Sequence, residues 1–103
     1  ISTNSNAIII LDFTGYSTST HISNFRISTT DALQGQLVHV IVKKTSTPTN
    51  IVLKNNNIVC PTVASQASFN GINFTNNYQS AKFLYDGQNW ILIDLFGATI
   101  ITA

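Results

Sequence analysis

One short turn between two apolar segments constrains this chain more than any other stretch. Ala81-Lys82-Phe83-Leu84-Tyr85 and Trp90-Ile91-Leu92-Ile93-Asp94-Leu95-Phe96 flank Asp86-Gly87-Gln88-Asn89. Gly87 reaches positive φ without a Cβ clash, and the flanks are rich in aromatic and β-branched side chains that suit a pleated surface, so the segment reads as a β-hairpin. A four-residue turn sets Tyr85 opposite Trp90, Leu84 opposite Ile91 and Phe83 opposite Leu92. Side chains alternate along a strand, so Tyr85, Trp90, Phe83 and Leu92 share one face while Leu84, Ile91, Ile93 and Leu95 share the other. Both faces are apolar, whereas a hairpin on a small two-layer domain should meet water on one side. The natural cover for the second face is another copy of the chain.

The same two-sided pattern recurs. Leu37, His39 and Ile41 alternate with Val38, Val40 and Val42, and Ile8 and Ile10 alternate with Ile9, Leu11 and Phe13. Three strands with two apolar faces exceed what one monomeric sandwich needs, so a self-associating β domain is expected, with Leu37, His39, Ile41, Ile91, Ile93 and Leu95 at the contact between copies.

Strand signals recur roughly every ten residues: Ala7 to Phe13, Ile22 to Ser28, Gln36 to Lys43, Asn50 to Lys54, Ile58 to Cys60, Ser68 to Phe74, Ala81 to Tyr85, Asn89 to Phe96 and Thr99 to Thr102. Polar punctuation separates them: Gly15, Gly35, Pro48, Asn55-Asn56-Asn57 and Asn70-Gly71, the last pair spaced for a two-residue hairpin of its own. Thr30-Asp31-Ala32-Leu33 suits a single helical turn, and no window carries longer helical spacing. The expectation is an all-β antiparallel sandwich or barrel-like domain occupying residues 1–103 as one unit. The chain contains no Met and opens Ile1-Ser2-Thr3-Asn4, which reads as a piece of a longer protein.

Only 9% of the 103 residues are charged, all four acidic residues are Asp, and about a third of the chain is Asn, Ser or Thr. A formal charge of +1, carried by the scattered Arg26, Lys43, Lys44, Lys54 and Lys82, offers no clustered field for a polyanion, so nucleic acid is not an expected partner. Apolar runs such as Ala7 to Leu11 are too short to span a bilayer as a helix, and no membrane insertion is expected. Cys60 stands alone, which excludes an internal disulfide and any site built from several cysteines, and it reads as a buried apolar thiol beside Pro61.

Phe83-Leu84-Tyr85-Asp86-Gly87-Gln88-Asn89-Trp90-Ile91-Leu92-Ile93 resembles the C-terminal domains of viral attachment fibres and spikes, from tailed phages and large DNA viruses, many of which close with a YDG-x-x-W turn between hydrophobic strands. Leu33-Gln34-Gly35-Gln36-Leu37-Val38-His39-Val40-Ile41 is similar to a G-Q-led strand of those domains, and Asn50 to Asn55 with Asn57-Ile58 continues the rhythm. Loosely counted, the likeness runs from Ala7 to Phe96. The resemblance implies a homotrimeric knob or stalk unit on the virion surface, binding a host-surface glycan or protein receptor, without catalysis and without a cofactor. The chain departs from shaft-like members in lacking tandem repeats.

No constellation of residues supports an enzyme. His21 and His39 with Asp12, Asp31 or Asp94 form no nucleophile motif, the four Asp residues offer no evident carboxylate pair across a cleft, and no metal-ligand spacing occurs. Asp86 is committed to its turn, and Asp94 falls on the Trp90 and Leu92 face, where Arg26 or a Lys is its expected partner. Trp90, inside a strand, is expected in the core or an interface rather than as a sugar platform. Candidate receptor contacts are the turn residues Tyr16, His21, Tyr78, Gln88 and Asn89. Asn73-Phe74-Thr75 matches a glycosylation sequon. Two alternatives to receptor attachment stand beside it: a purely structural trimerisation or virion-decoration module, and a cellular lectin-like adhesin domain.

Overall fold

The computed structural model describes residues 7–14, 21–29 and 32–102. Among these described residues, nine strands and one 3-10 turn follow in order: β1 (Ala7–Asp12), β2 (His21–Phe25), β3 (Leu37–Lys43), β4 (Asn50–Lys54), β5 (Ile58–Val59), the turn Gln66–Ser68, β6 (Phe69–Phe74), β7 (Ser80–Tyr85), β8 (Trp90–Phe96) and β9 (Thr99–Thr102). They form a β-sandwich of two sheets, β1-β3-β7-β8-β5 and β2-β4-β6-β9. The strands lie where the alternation and turn residues place them. The 3-10 turn was not anticipated. Gly15, Thr30 and Asp31 fall outside the described residues.

Pairing direction departs from a wholly antiparallel expectation. β1 runs parallel to β3, β2 to β4 and β5 to β8. The cause is the chain's path: every connection among these strands crosses from one sheet to the other except that between β7 and β8. Neighbours in one sheet, such as β1 and β3, are therefore reached after a return through the other sheet, and such neighbours can run the same way. The one consecutive pair within a sheet is the hairpin. Its register is as the turn dictates, with Tyr85 facing Trp90, Leu84 facing Ile91 and Phe83 facing Leu92.

The core is the seam between the sheets. Val38, Val40 and Val42 from β3, Ala81, Phe83 and Tyr85 from β7, and Trp90 and Leu92 from β8 meet Ile51 and Leu53 from β4 and Phe69, Ile72 and Phe74 from β6. Trp90 is 2% exposed, its indole Nε1 donates to the Ser28 carbonyl at 3.1 Å, and its ring lies 4.8 Å from that of Tyr85. Burial with its polar edge satisfied removes it from the surface as a sugar platform. Cys60 is likewise buried, with its Sγ 3.5 Å from the Thr62 hydroxyl.

Two local expectations are corrected. Asn70-Gly71 makes no hairpin, because both residues lie inside β6, and the ladder to β9 shifts register there, with Phe69 facing Thr102 and Gly71 facing Ile101. An Asn-Gly pair flanked by apolar residues carries the same letters whether it turns the chain or sits at an irregularity within a strand. In β8 the ladder steps from Phe83–Leu92 to Lys82–Asp94, leaving Ile93 as the extra residue of a bulge. The bulge exchanges the faces beyond it. Asp94 therefore points outward opposite Lys82 rather than sharing the Trp90 face, and Leu95 turns inward to pack against the core.

Candidate functional site

The two outer faces of the sandwich differ in chemistry, and that difference positions the candidate site. On the second sheet the outward row is Asn50, Val52 and Lys54 from β4, Asn73 and Gly71 from β6, and Thr99 and Ile101 from β9, a largely polar set. Outward on the first sheet are Ile8 and Ile10 from β1, Leu37, His39 and Ile41 from β3, Lys82 and Leu84 from β7, and Ile91, Asp94 and Phe96 from β8. Ile8 is 71% exposed, Ile10 58%, Phe96 70% and the bulged Ile93 48%. Scattered exposed apolar residues are ordinary, but these stand on the two flanks of one face, on β1 and β8, with the half-buried Leu37, Ile41 and Leu84 of β3 and β7 between them, and an apolar share this large on one face marks a contact.

The register ties these side chains into rows. Ile8 faces His39, which faces Lys82, which faces Asp94, so one polar row crosses the face. Beside it, Ile10, Ile41 and Phe96 share a row in which the buried Ser80 stands between Ile41 and Phe96, and on the other side Leu37, Leu84 and Ile91 form an apolar row. His39 is half-buried between Ile8 and Lys82. Of the six residues expected at a contact between copies, Leu37, His39, Ile41, Ile91 and Ile93 stand on this face. Leu95 does not, because the bulge turns it inward. Ile8, Ile10 and Phe96 were absent from that set; the two-sided apolar pattern of β1 already carried the signal for Ile8 and Ile10, whereas Phe96 reaches this face only through the bulge at Ile93.

The candidate receptor residues are not brought together. Tyr16 lies outside the described residues, and so does the side chain of His21, whose backbone opens β2 opposite Asn50. Tyr78 is 60% exposed in the turn that precedes β7, where its N–H donates to the Val42 carbonyl. Gln88 and Asn89 occupy the turn that follows β7. The six residues of β7 separate the two turns, roughly 20 Å at about 3.3 Å per residue. Tyr78 and the pair Gln88 and Asn89 therefore belong to opposite ends of the sandwich.

The turn after β7 is rigidly made. Asp86 Oδ1 accepts from the N–H groups of Gln88 at 2.8 Å and Asn89 at 2.7 Å, and the Asp86 N–H donates to the Asn89 carbonyl at 3.0 Å. The Asn89 N–H foremost, then that of Gln88, holds the Asp86 carboxyl below its ordinary value. The sequon asparagine is poorly placed for modification of the folded chain: Asn73 lies in β6 between β4 and β9, and its Nδ2 donates to Asn50 Oδ1 at 2.9 Å.

Among the described residues no group of three or more His, Cys, Asp or Glu side chains converges as a metal site would. Comparisons with family models, with curated proteins and with solved structures found no match to this chain.

Proposed function

We propose that this domain is a non-enzymatic assembly unit of a viral attachment fibre or spike, a homotrimer whose copies meet through the outer face of the first sheet and whose polar surfaces contact a host receptor. The observation that carries the assembly part is the asymmetry between the outer faces: Ile8, Ile10, Ile93 and Phe96 are exposed on the first sheet, and among the described residues no large apolar side chain of the second sheet is exposed. The viral and trimeric parts rest on the resemblance of the Tyr85 to Trp90 turn and its flanking strands. Three copies arranged about an axis would each turn the apolar face inward and leave the second sheet and the loops outside. Repetition of a weak receptor site around the assembly would raise avidity without any strong single contact.

A triple variant, Ile8→Ser with Ile10→Ser and Phe96→Ser, tests the assembly. These side chains leave the monomer core intact, so the β-type circular dichroism should be kept while the native mass falls to that of one chain. A variant that keeps the wild-type assembly would refute the assignment of the face. A host-relevant glycan array on the intact assembly tests attachment, and silence across it would favour the purely structural role.

A further inference from the structure

On the opposite side of the sandwich from the apolar face, a groove of about 730 Å³ lies against the outer surface of the second sheet. Arg26 and Lys54 line it together with Asn70, Val52 and Ile101. Their proximity follows from the register. Phe25 of β2 pairs in parallel with Leu53 of β4, so the next residues along each chain are Arg26 and Lys54. Two like charges side by side on neighbouring strands are unfavourable. Among the described residues neither has an ion-pair partner and no carboxylate lines the groove, and yet the protein places two of its five cations here.

The rest of the lining is equally specific in kind. Half-buried Ile101 of β9 faces Gly71 of β6, and Val52 of β4, 7% exposed, shows only an edge to the groove. The wall beside them is fixed: Asn55 Nδ2 donates to the Phe69 carbonyl at 3.1 Å, Asn55 Oδ1 accepts from the Ile58 N–H at 3.0 Å, and the Asn55 N–H donates to the Asn70 carbonyl at 2.9 Å. The Asn70 side chain remains exposed at the rim. Two cations, the aliphatic side chain of Ile101 with the edge of Val52, and an exposed amide match an anionic group, the apolar face of a sugar ring and its hydroxyls.

We infer that this groove binds an acidic sugar, with the sugar carboxylate between Arg26 and Lys54 and the ring against Ile101 and the edge of Val52. Two cations suit one carboxylate and are too few to hold a nucleic acid, whose binding draws on many phosphate contacts. The inference rests on the proposed function for the source of the sugar, a host surface, and not for the site, which each chain builds alone.

The test follows backbone amide signals of the isotope-labelled domain during titration with sialyllactose, a glucuronate disaccharide, lactose and inorganic phosphate at matched ionic strength. At least one of the two acidic sugars should shift the signals of Lys54, Asn55 and Asn70, and lactose and phosphate should not. Arg26→Gln and Lys54→Gln should each weaken that binding roughly tenfold to a hundredfold, the loss of one charge-assisted hydrogen bond, and added salt should weaken it further. Absence of shifts with both acidic sugars, or equal shifts with lactose or with phosphate alone, would overturn the inference. Both variants should keep the native mass and melting temperature of the parent. Failure of sugar binding thus leaves the assembly untouched, and failure of assembly is read from the mass alone.

Discussion

Replacing Gly71 with alanine would place a Cβ 2.5 Å from the carbonyl oxygen of Leu53 and 3.3 Å from Lys54 Cα. Carbon and carbonyl oxygen ordinarily approach to about 3.3 Å, so the first contact is short by roughly 0.8 Å. The obstructing atom is backbone, inside the β4–β6 ladder, and cannot rotate away as a side chain would. Relief requires the two strands to part near Lys54 and Gly71, weakening the Asn55 N–H bond to the Asn70 carbonyl and the wall of the groove. Overpacking costs about 1–3 kcal/mol, and a backbone obstacle belongs at the upper end. For a domain of this size about 3 kcal/mol lowers the melting temperature by roughly 12–24 °C.

Gly87 is the control. Its φ is +100°, and the nearest atom to an added Cβ is 3.7 Å away on the Gln34 side chain. Asparagine tolerates positive φ better than other side-chain-bearing residues, so Gly87→Asn should cost about 1 kcal/mol or less. Thermal melts followed by circular dichroism at equal chain concentration compare the two variants. A Gly71→Ala protein that melts within about 3 °C of the parent, or no lower than Gly87→Asn, would refute the close approach of β4 to β6.

Gln79 holds two loops to one another: its Oε1 accepts from the N–H groups of Thr75 at 2.7 Å and Asn76 at 3.1 Å, and its Nε2 donates to the Gly97 carbonyl at 2.8 Å. Gln79→Ala leaves these backbone groups without that partner in a buried setting and should cost about 2–3 kcal/mol in urea unfolding. The acid limb of stability should involve Asp86 and Asp12, whose carboxyls are held below their ordinary 3.8 by N–H donors, that of Asn89 first for Asp86 and that of Thr14 for Asp12. The unfolded chain then binds protons before the folded one. The stabilisation is whole above pH 3.8 and is lost as pH falls below it through the folded-state values. Asp86→Asn keeps an acceptor oxygen without the titration, so its stability should fall less steeply over that acid range than that of the parent.

The strands were legible because each is short, alternating and bounded by Gly, Asn or Pro, and the hairpin register was legible because only four residues separate its strands. Pairing direction was not, since alternation records a strand's faces and not its neighbour. The bulge at Ile93 leaves no compositional mark, and it alone moved Asp94 outward and Leu95 inward. The apolar outer face was visible in β1, β3 and β8 as strands with two hydrophobic sides. The groove was hidden for a different reason: Arg26, Val52, Asn70 and Ile101 come from four segments that only the sheet order brings together.

The most direct test of the account is the native mass of the purified domain by light scattering coupled to size exclusion, with the triple serine variant run beside it. A stable species of three chain masses is expected for the parent and one chain mass for the variant. A parent protein that elutes as a monomer at every concentration would overturn the proposed assembly, and Ile8, Ile10 and Phe96 would then face water without a partner copy.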